Sequence, residues 1–186
     1  MQLSSSKPTE MKRRPLGHQG QSVAMVRLRV LAEDDWRDWR ALRRAALEEA
    51  PDAFTSTLEE WSGSGDSPER WRQRLVTVPF NVLAYVGEQP VGMVSAITLD
   101  ETQAELLSLW VDPRARGEGV GDELVTAVVS WAAQQGRRRV VLGVRASNER
   151  AITLYGRNGF VDIGMYATST PGAPAEREMA RDLALL

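Results

Sequence analysis

Hydrophobic and polar positions alternate at two different periods along this chain, and the switches between them mark out its elements. Val26–Leu31 alternates Val, Leu and Val with Arg27 and Arg29, the period of a half-buried strand. From Trp36 the period becomes helical, with Trp36, Trp39, Leu42, Ala46 and Leu47 near one face, Asp34 or Asp35 placed to N-cap, and a stop at Pro51. The Gly/Ser break at Ser62–Ser67 separates a short helical piece around Leu58 from a helix opening at Ser67-Pro68, where proline suits the first helical position. Phe80–Val86 and Val91–Leu99 read as a hairpin across Gly87-Glu88-Gln89-Pro90, and Ala104–Val111 as a further strand ended by Asp112-Pro113.

A helix from about Gly117 to Gln135 aligns Val120, Leu124, Val128 and Trp131 on one face and stops at Gly136. Arg139–Val144 is an apolar strand, and Asn148–Asn158 a helix ended by Gly159. Phe160–Tyr166 and Glu176–Leu183 close the chain as a strand pair across the Pro/Gly-rich loop Thr168–Ala175. The order βααβββαβαββ, without internal repeats, predicts one mixed α/β (α+β) domain over residues 26–186. Residues 1–25 are polar and aperiodic and read as a disordered N-terminal tail, with Met25 a plausible alternative start.

Composition narrows the chemistry. The chain has 186 residues, 42% apolar and 26% charged, a size and balance that support a real core. No apolar run is long enough to span a bilayer and no secretory h-region is present, so a cytoplasmic location without membrane attachment is expected. Lys7, Lys12, Arg13 and Arg14 against Glu10 give the tail +3, which leaves −5 for the domain out of a net −2. An acidic body argues against nucleic acid as partner and mildly favours a cationic acceptor. There is no cysteine, and the only histidine, His18, lies in the tail. Disulfides, thiolate metal sites, an acyl-Cys route and Ser-His-Asp machinery are thereby excluded, and no metal is expected. A general base must be a carboxylate, a water or a less usual group.

The loop Arg116-Gly117-Glu118-Gly119-Val120-Gly121 lies between an apolar strand and an amphipathic helix. A helix start gathers unpaired N–H groups at the positive end of its dipole, which makes an anion site and most naturally a pyrophosphate site. Incidental glycines at a helix N-terminus would read the same way. A dinucleotide fingerprint fails, because its third glycine would fall on Asp122, and the Gly-Lys-Ser/Thr of a Walker A loop is missing.

Arg116-x-x-Gly119-x-Gly121, following Val111-Asp112-Pro113, resembles the coenzyme A loop of the GCN5-related N-acetyltransferase (GNAT) family. Val144–Ile152, Leu154-Tyr155 and Gly159-Phe160 resemble that family's second motif, in the right order and spacing. The likeness is dense over residues 80–166, loose over 26–79, and absent from the tail. It implies a mixed, mostly antiparallel sheet with helices on both faces, splayed between the parallel strands at 104–111 and 139–144. It implies acetyl-CoA as cosubstrate. Backbone N–H groups of Gly117, Gly119, Val120 and Gly121, within the loop that includes Glu118 and with Arg116 beside them, would cradle the pyrophosphate. The edge of Leu109, Trp110 and Val111 would pair with the pantetheine arm, and Asn148 would touch that arm or cap its helix.

Tyr155, two helical turns after Asn148 and on its face, is the candidate general acid for the departing sulfur; the alternative is a core tyrosine whose hydroxyl caps a backbone group. Glu105, eleven residues before Arg116, corresponds to the base of the histone-acetylating branch, with a surface strand glutamate as the plain reading and Ser108 a weaker polar candidate. The ribosomal-protein branch carries a glutamate five residues before its motif asparagine; here that position is Gly143. Trp36, Trp39, Phe54, Trp61 and Trp71 fall where the family builds its acceptor pocket and could hold a cationic amine by cation–π contact, or simply pack. Arg40 and Arg43 could recognise an acceptor carboxylate, or lie on a solvated helix face. The resemblance therefore implies an N-acetyltransferase acting by direct attack of an amine in a ternary complex. A small-molecule amine leads over a protein lysine or N-terminus, and a non-catalytic acyl-CoA sensor is the alternative from another class. A homodimer through the closing strands is a family-level expectation.

Overall fold

The structure is a computed structural model that describes residues 25–165 and 175–184. The tail expected over residues 1–25 lies outside them except for Met25, as does nearly all of the loop Thr168–Ala175. The elements follow in the order β1 (Val26–Val30), α1 (Trp36–Glu49), α2 (Pro68–Thr77), β2 (Phe80–Val86), β3 (Gln89–Thr98), β4 (Gln103–Val111), α3 (Val120–Gln134), β5 (Arg139–Arg145), α4 (Glu149–Arg157), β6 (Val161–Met165) and β7 (Glu176–Asp182), with short 3-10 turns between α1 and α2. Among the described residues no helix is long and apolar enough to cross a membrane.

One seven-stranded sheet runs β1-β2-β3-β4-β5-β7-β6. Every neighbouring pair is antiparallel except β4 and β5. That parallel pair is brief: Gln103, Ala104 and Glu105 face Arg139, Val140 and Val141, and the ladder ends there. Beyond Glu105 the two strands part, and the outer edge of β4 has no strand neighbour among the described residues. The sheet opens into a V at its centre.

Strand alternation sorts the side chains into two cores. Val82, Ala84, Val94 and Ala96 point to the face covered by α3 and α4, where they meet Val120, Leu124, Val128 and Leu154. Leu83, Tyr85, Met93 and Trp110 point to the opposite face, against Trp36, Trp39, Leu42 and Ala46 of α1 and Trp71 and Leu75 of α2. On α3 the missing Cβ of Gly121 matters, since a methyl there would lie 3.0 Å from Leu154 Cδ2 and push α4 away.

One local expectation changes. Asp35 sits at the N-cap position of α1 but makes no capping bond. Its carboxylate instead accepts from Ala32 N at 2.8 Å and pairs with Arg29, which ties β1 to the helix start. The loop between α1 and α2 is tied by a carboxylate: Asp66 accepts from both sides of the Arg40 guanidinium, from Arg44 Nη1 and from Trp71 Nε1 at 2.8 Å.

Candidate active site

Strand β4 carries an extra residue against β3: Met93 pairs with Trp110 and Ser95 with Leu107, so three steps on β4 match two on β3. Ser108, inside the bulge, adopts φ 55°, a left-handed conformation that non-glycine residues rarely take. The bulge bends β4 where it leaves β5, and two adjoining cavities open along the split.

The first, of about 760 Å³, is lined by Leu109, Trp110 and Val111 of β4, by Ala115, Arg116, Gly117, Gly119 and Gly121 of the loop, and by Asn148, Arg150, Ala151, Leu154 and Arg157 around α4. Gly117 and Gly119 have φ of 88° and 81°, backbone states natural to glycine. Gly119 is the N-cap of α3 and offers no side chain to it, so the first N–H groups of a 15-residue helix face the cavity mouth without a cap. The cleft thus joins a helix's positive end, basic side chains and an open strand edge.

The expected loop residues do not contribute equally. Glu118 is exposed and Val120 is buried in the core, so neither side chain lines the cavity. Arg116 lines it but is engaged: Nε donates to Val111 O at 2.9 Å and Nη2 to Glu49 Oε2 at 2.7 Å. Glu49 also accepts from Trp110 Nε1 at 3.0 Å, and the Arg116 and Trp110 hydrogen bonds hold its carboxyl below the usual range. Asp122, where a dinucleotide loop would need glycine, binds Arg157 twice at 2.7 Å and Asn158 Nδ2 at 2.8 Å and so locks α3 to α4.

The second cavity, of about 430 Å³, is lined by Glu105, Ser108, Leu109, Gly143, Asn148 and Tyr155 on the strand side, and by Trp39, Arg43, Phe54, Ser56, Trp61 and Arg74 on the helix side. Leu109, Asn148, Ala151, Ala53 and Phe54 line both cavities, which makes them one cleft. Asn148 Oδ1 accepts from Ala151 N at 3.1 Å, so this residue caps α4 while standing at the junction.

Tyr155 is buried, with Phe160 tilted against it at 5.8 Å, and its hydroxyl bonds to no described residue. The capping role is therefore not what keeps the hydroxyl. Burial pushes its phenol pKa well above the ordinary value, so the group holds its proton at neutral pH. Glu105 is half-buried at the point where β4 and β5 part and lines the same cavity.

Of the aromatics, Trp39, Phe54 and Trp61 line the second cavity, while Trp36 and Trp71 pack elsewhere. Arg40 is committed to Asp66, which ends its candidacy for acceptor recognition; Arg43 lines the cavity. Arg74, Arg150, Arg157 and Glu49 were not singled out by the pattern. Arg150, Leu154 and Arg157 recur at helical spacing, and Arg74 follows the buried Trp71 by three, a periodicity that could have shown them.

Over residues 28–160 the chain matches the sequence model described as the acetyltransferase (GNAT) family. The chain belongs to that family. A mycothiol acetyltransferase of Clavibacter sepedonicus is 31% identical over 145 residues, which cover 78% of this chain and 46% of that protein. The chain spans less than half the length of the curated relatives it matches. Among solved structures, a GNAT-family acetyltransferase from Streptococcus pneumoniae superposes with TM-score 0.70 at 19% identity, covering 86% of this chain and all of that one. PaiA N-acetyltransferase from Thermoplasma acidophilum, solved with coenzyme A, superposes with TM-score 0.65 at 18% identity, over 86% of this chain and 99% of that one. These neighbours carry the same fold.

Proposed function

We propose that the chain is an acetyl-CoA-dependent N-acetyltransferase that modifies a primary amine of a small molecule by direct attack in a ternary complex. The observation that carries this reading is the continuous cleft, with the glycine loop and α3 N-terminus at one end and the buried Tyr155 hydroxyl in the adjoining cavity. The residues present fit the cosubstrate. A capless helix start with two left-handed glycines, at which an added Cβ would meet nothing within 4 Å, suits a pyrophosphate. The edge of β4 beyond Glu105, which has no strand neighbour among the described residues, suits the pantetheine amides.

Backbone N–H groups of the loop at Gly117–Gly121, with Arg116, hold the phosphates, and Leu109–Val111 with Asn148 hold the arm. Bound there, acetyl-CoA supplies an acetyl group activated as a thioester. Tyr155 Oη is the proton donor at the sulfur end of the cleft, and burial keeps it protonated at neutral pH. Glu105, across the same cavity, takes the amine proton directly or through a water. Gly143 leaves room beside it where a glutamate would narrow the acceptor side. A cytoplasmic enzyme fits this reading.

The test is thiol release from acetyl-CoA across a panel of amines: amino acids, polyamines, aminoglycosides and short peptides with free N-termini or lysines. The cysteine-free chain gives a thiol reagent no background. Release with one amine class, lost in Tyr155→Phe, is expected. Tight acetyl-CoA binding with no release on any amine would favour an acyl-CoA sensor.

A further inference from the structure

The acceptor cavity carries a buried positive charge that the acetyl transfer does not use. Arg43 is 7% exposed, on the inner face of α1. Its Nη2 donates to Ser56 Oγ at 3.1 Å, a neutral partner, and its Nη1 is buried with no hydrogen-bond partner among the described residues. No carboxylate pairs with it among the described residues. One turn earlier, Trp39 is wholly buried, and its Nε1 is likewise without a partner. These two residues stand at i and i+4 on one helix face and line the same cavity.

A second guanidinium deepens the charge. Arg74 of α2 lines the cavity and is fixed by neutral groups alone, with Nη1 on Asn81 Oδ1 at 3.1 Å and Nη2 on Ser95 Oγ at 3.2 Å. Asn81 and Ser95 are buried and bound to each other at 2.8 Å, so Arg74 is held from beneath. Burial lowers both arginines to about 10, and the charge of Arg74 lowers Arg43 further; both remain cationic at neutral pH. Burying a guanidinium beside a like charge costs free energy that a bound anion offsets. The acids that line this cavity are Glu105, where β4 and β5 part, and Glu176, which pairs with Arg145 at 3.1 Å.

The same geometry removes the case for a polycation. One face of Phe54 is covered by Arg43 at 4.4 Å, one of Trp39 by Arg74 at 5.2 Å, and one of Trp61 by Arg70 at 4.2 Å. The aromatic faces that could have held a cationic amine are met by the protein's own cations.

We propose that the acceptor is an acidic amine, whose carboxylate or phosphate is bound by Arg43 Nη1 and Trp39 Nε1 under the charge of Arg74. This rests on the acetyltransferase reading for the amine and on the cavity alone for the anion. A forked guanidinium suits either oxyanion.

The test compares amines that differ only in the acidic group: common amino acids against their carboxamides, phosphoethanolamine against ethanolamine, and spermidine as the cationic arm. Two readouts are taken on the full chain, kcat/KM for transfer and the melting temperature with each amine alone, which reports binding without chemistry. The expected result is an acid favoured over its neutral partner on the order of a hundredfold in kcat/KM, mostly through KM. Only the acid raises Tm. Arg43→Met is expected to erase both preferences, Arg43→Lys to restore part of them, and Trp39→Phe to weaken KM for the acid more than for its amide. The wild-type comparison decides the matter even where a variant fails to fold. The carboxylate and phosphate arms tell the two anions apart.

Spermidine or the carboxamides accepted as well as the acids would overturn the proposal and leave the acetyltransferase standing. If no amine is acetylated, the enzymatic reading is what fails. An acid-specific, Arg43-dependent Tm shift would then still uphold the anion site, and its absence would overturn it.

Discussion

The two halves of the cleft meet at Leu109 and Asn148 yet are made of different material. The coenzyme side is built largely from backbone: a helix start, left-handed glycines and a strand edge. Its requirements fall on residue types at fixed spacing, because only glycine takes those conformations without strain. The acceptor side is built from side chains that arrive from α1, α2, β4, β5 and α4. Nothing in local spacing says that Arg43, Arg74 and Tyr155 share a cavity. A site made of backbone is written in a motif; one made of side chains is written in the tertiary fold.

Tyr155→Phe separates the halves most sharply. It removes the proposed proton donor, whose hydroxyl makes no hydrogen bond among the described residues, so kcat is expected to fall by about a hundredfold, the range of a lost general acid. Acetyl-CoA affinity, set by the other half, is expected to stay within about twofold. Calorimetry with acetyl-CoA beside steady-state kinetics checks both, and an equal loss in the two would merge the halves.

The same contrast explains what could be read before the fold was known. The element order and the glycine loop follow from period, turn residues and a motif with a backbone reason, and the splay between β4 and β5 from the family resemblance. Arg40 and Arg43 could not be told apart, for both lie on one helix three residues apart. What separates them is Asp66, far along the chain, which captures Arg40 and leaves Arg43 to the cavity. Asp35 misled for a similar reason: it fits an N-cap by position, but Arg29 on β1 claims it. Long-range partners decide between equal local candidates.

Asp66 is therefore the staple of the acceptor wall, and Asp66→Asn is expected to destabilise the chain by about 1–2 kcal/mol, the loss of charged hydrogen bonds discounted for partly exposed arginines. The hydrogen bonds from Arg40 and Trp71 hold the Asp66 carboxyl far below the ordinary range. A depressed folded-state value means that the stabilisation is present in full above the unfolded-state value, near about 3.9, and is lost as pH falls through the folded-state value. The gap in melting temperature between wild type and Asp66→Asn should be full at neutral pH and close in acid. A constant gap would place the effect in packing instead.

On the coenzyme side, Gly119→Ala puts a Cβ on a residue at φ 81° with open space around it, so the cost is conformational, not steric. About 1 kcal/mol of strain is expected, seen as a lower Tm and a roughly fivefold weaker acetyl-CoA Kd as the loop N–H groups shift. The acceptor half should not respond, and an unchanged KM for the amine checks that.

The smallest expected effect has the opposite sign. Glu49, at the end of α1, holds Arg116 Nη2 and Trp110 Nε1 on one oxygen, so the acceptor-side helix reaches across and occupies a cation of the coenzyme side. A pyrophosphate arriving at the loop must compete with that carboxylate for Arg116. Glu49→Gln keeps an oxygen to accept from Trp110 but removes the competing charge. Acetyl-CoA should then bind about twofold to threefold tighter, a small gain because the pair is partly exposed and screened. The gain should shrink with added salt and vanish in Glu49→Gln combined with Arg116→Ala. If Glu49→Gln instead weakens acetyl-CoA, the carboxylate is orienting Arg116 toward the phosphates, and α1 supports the coenzyme half instead of opposing it.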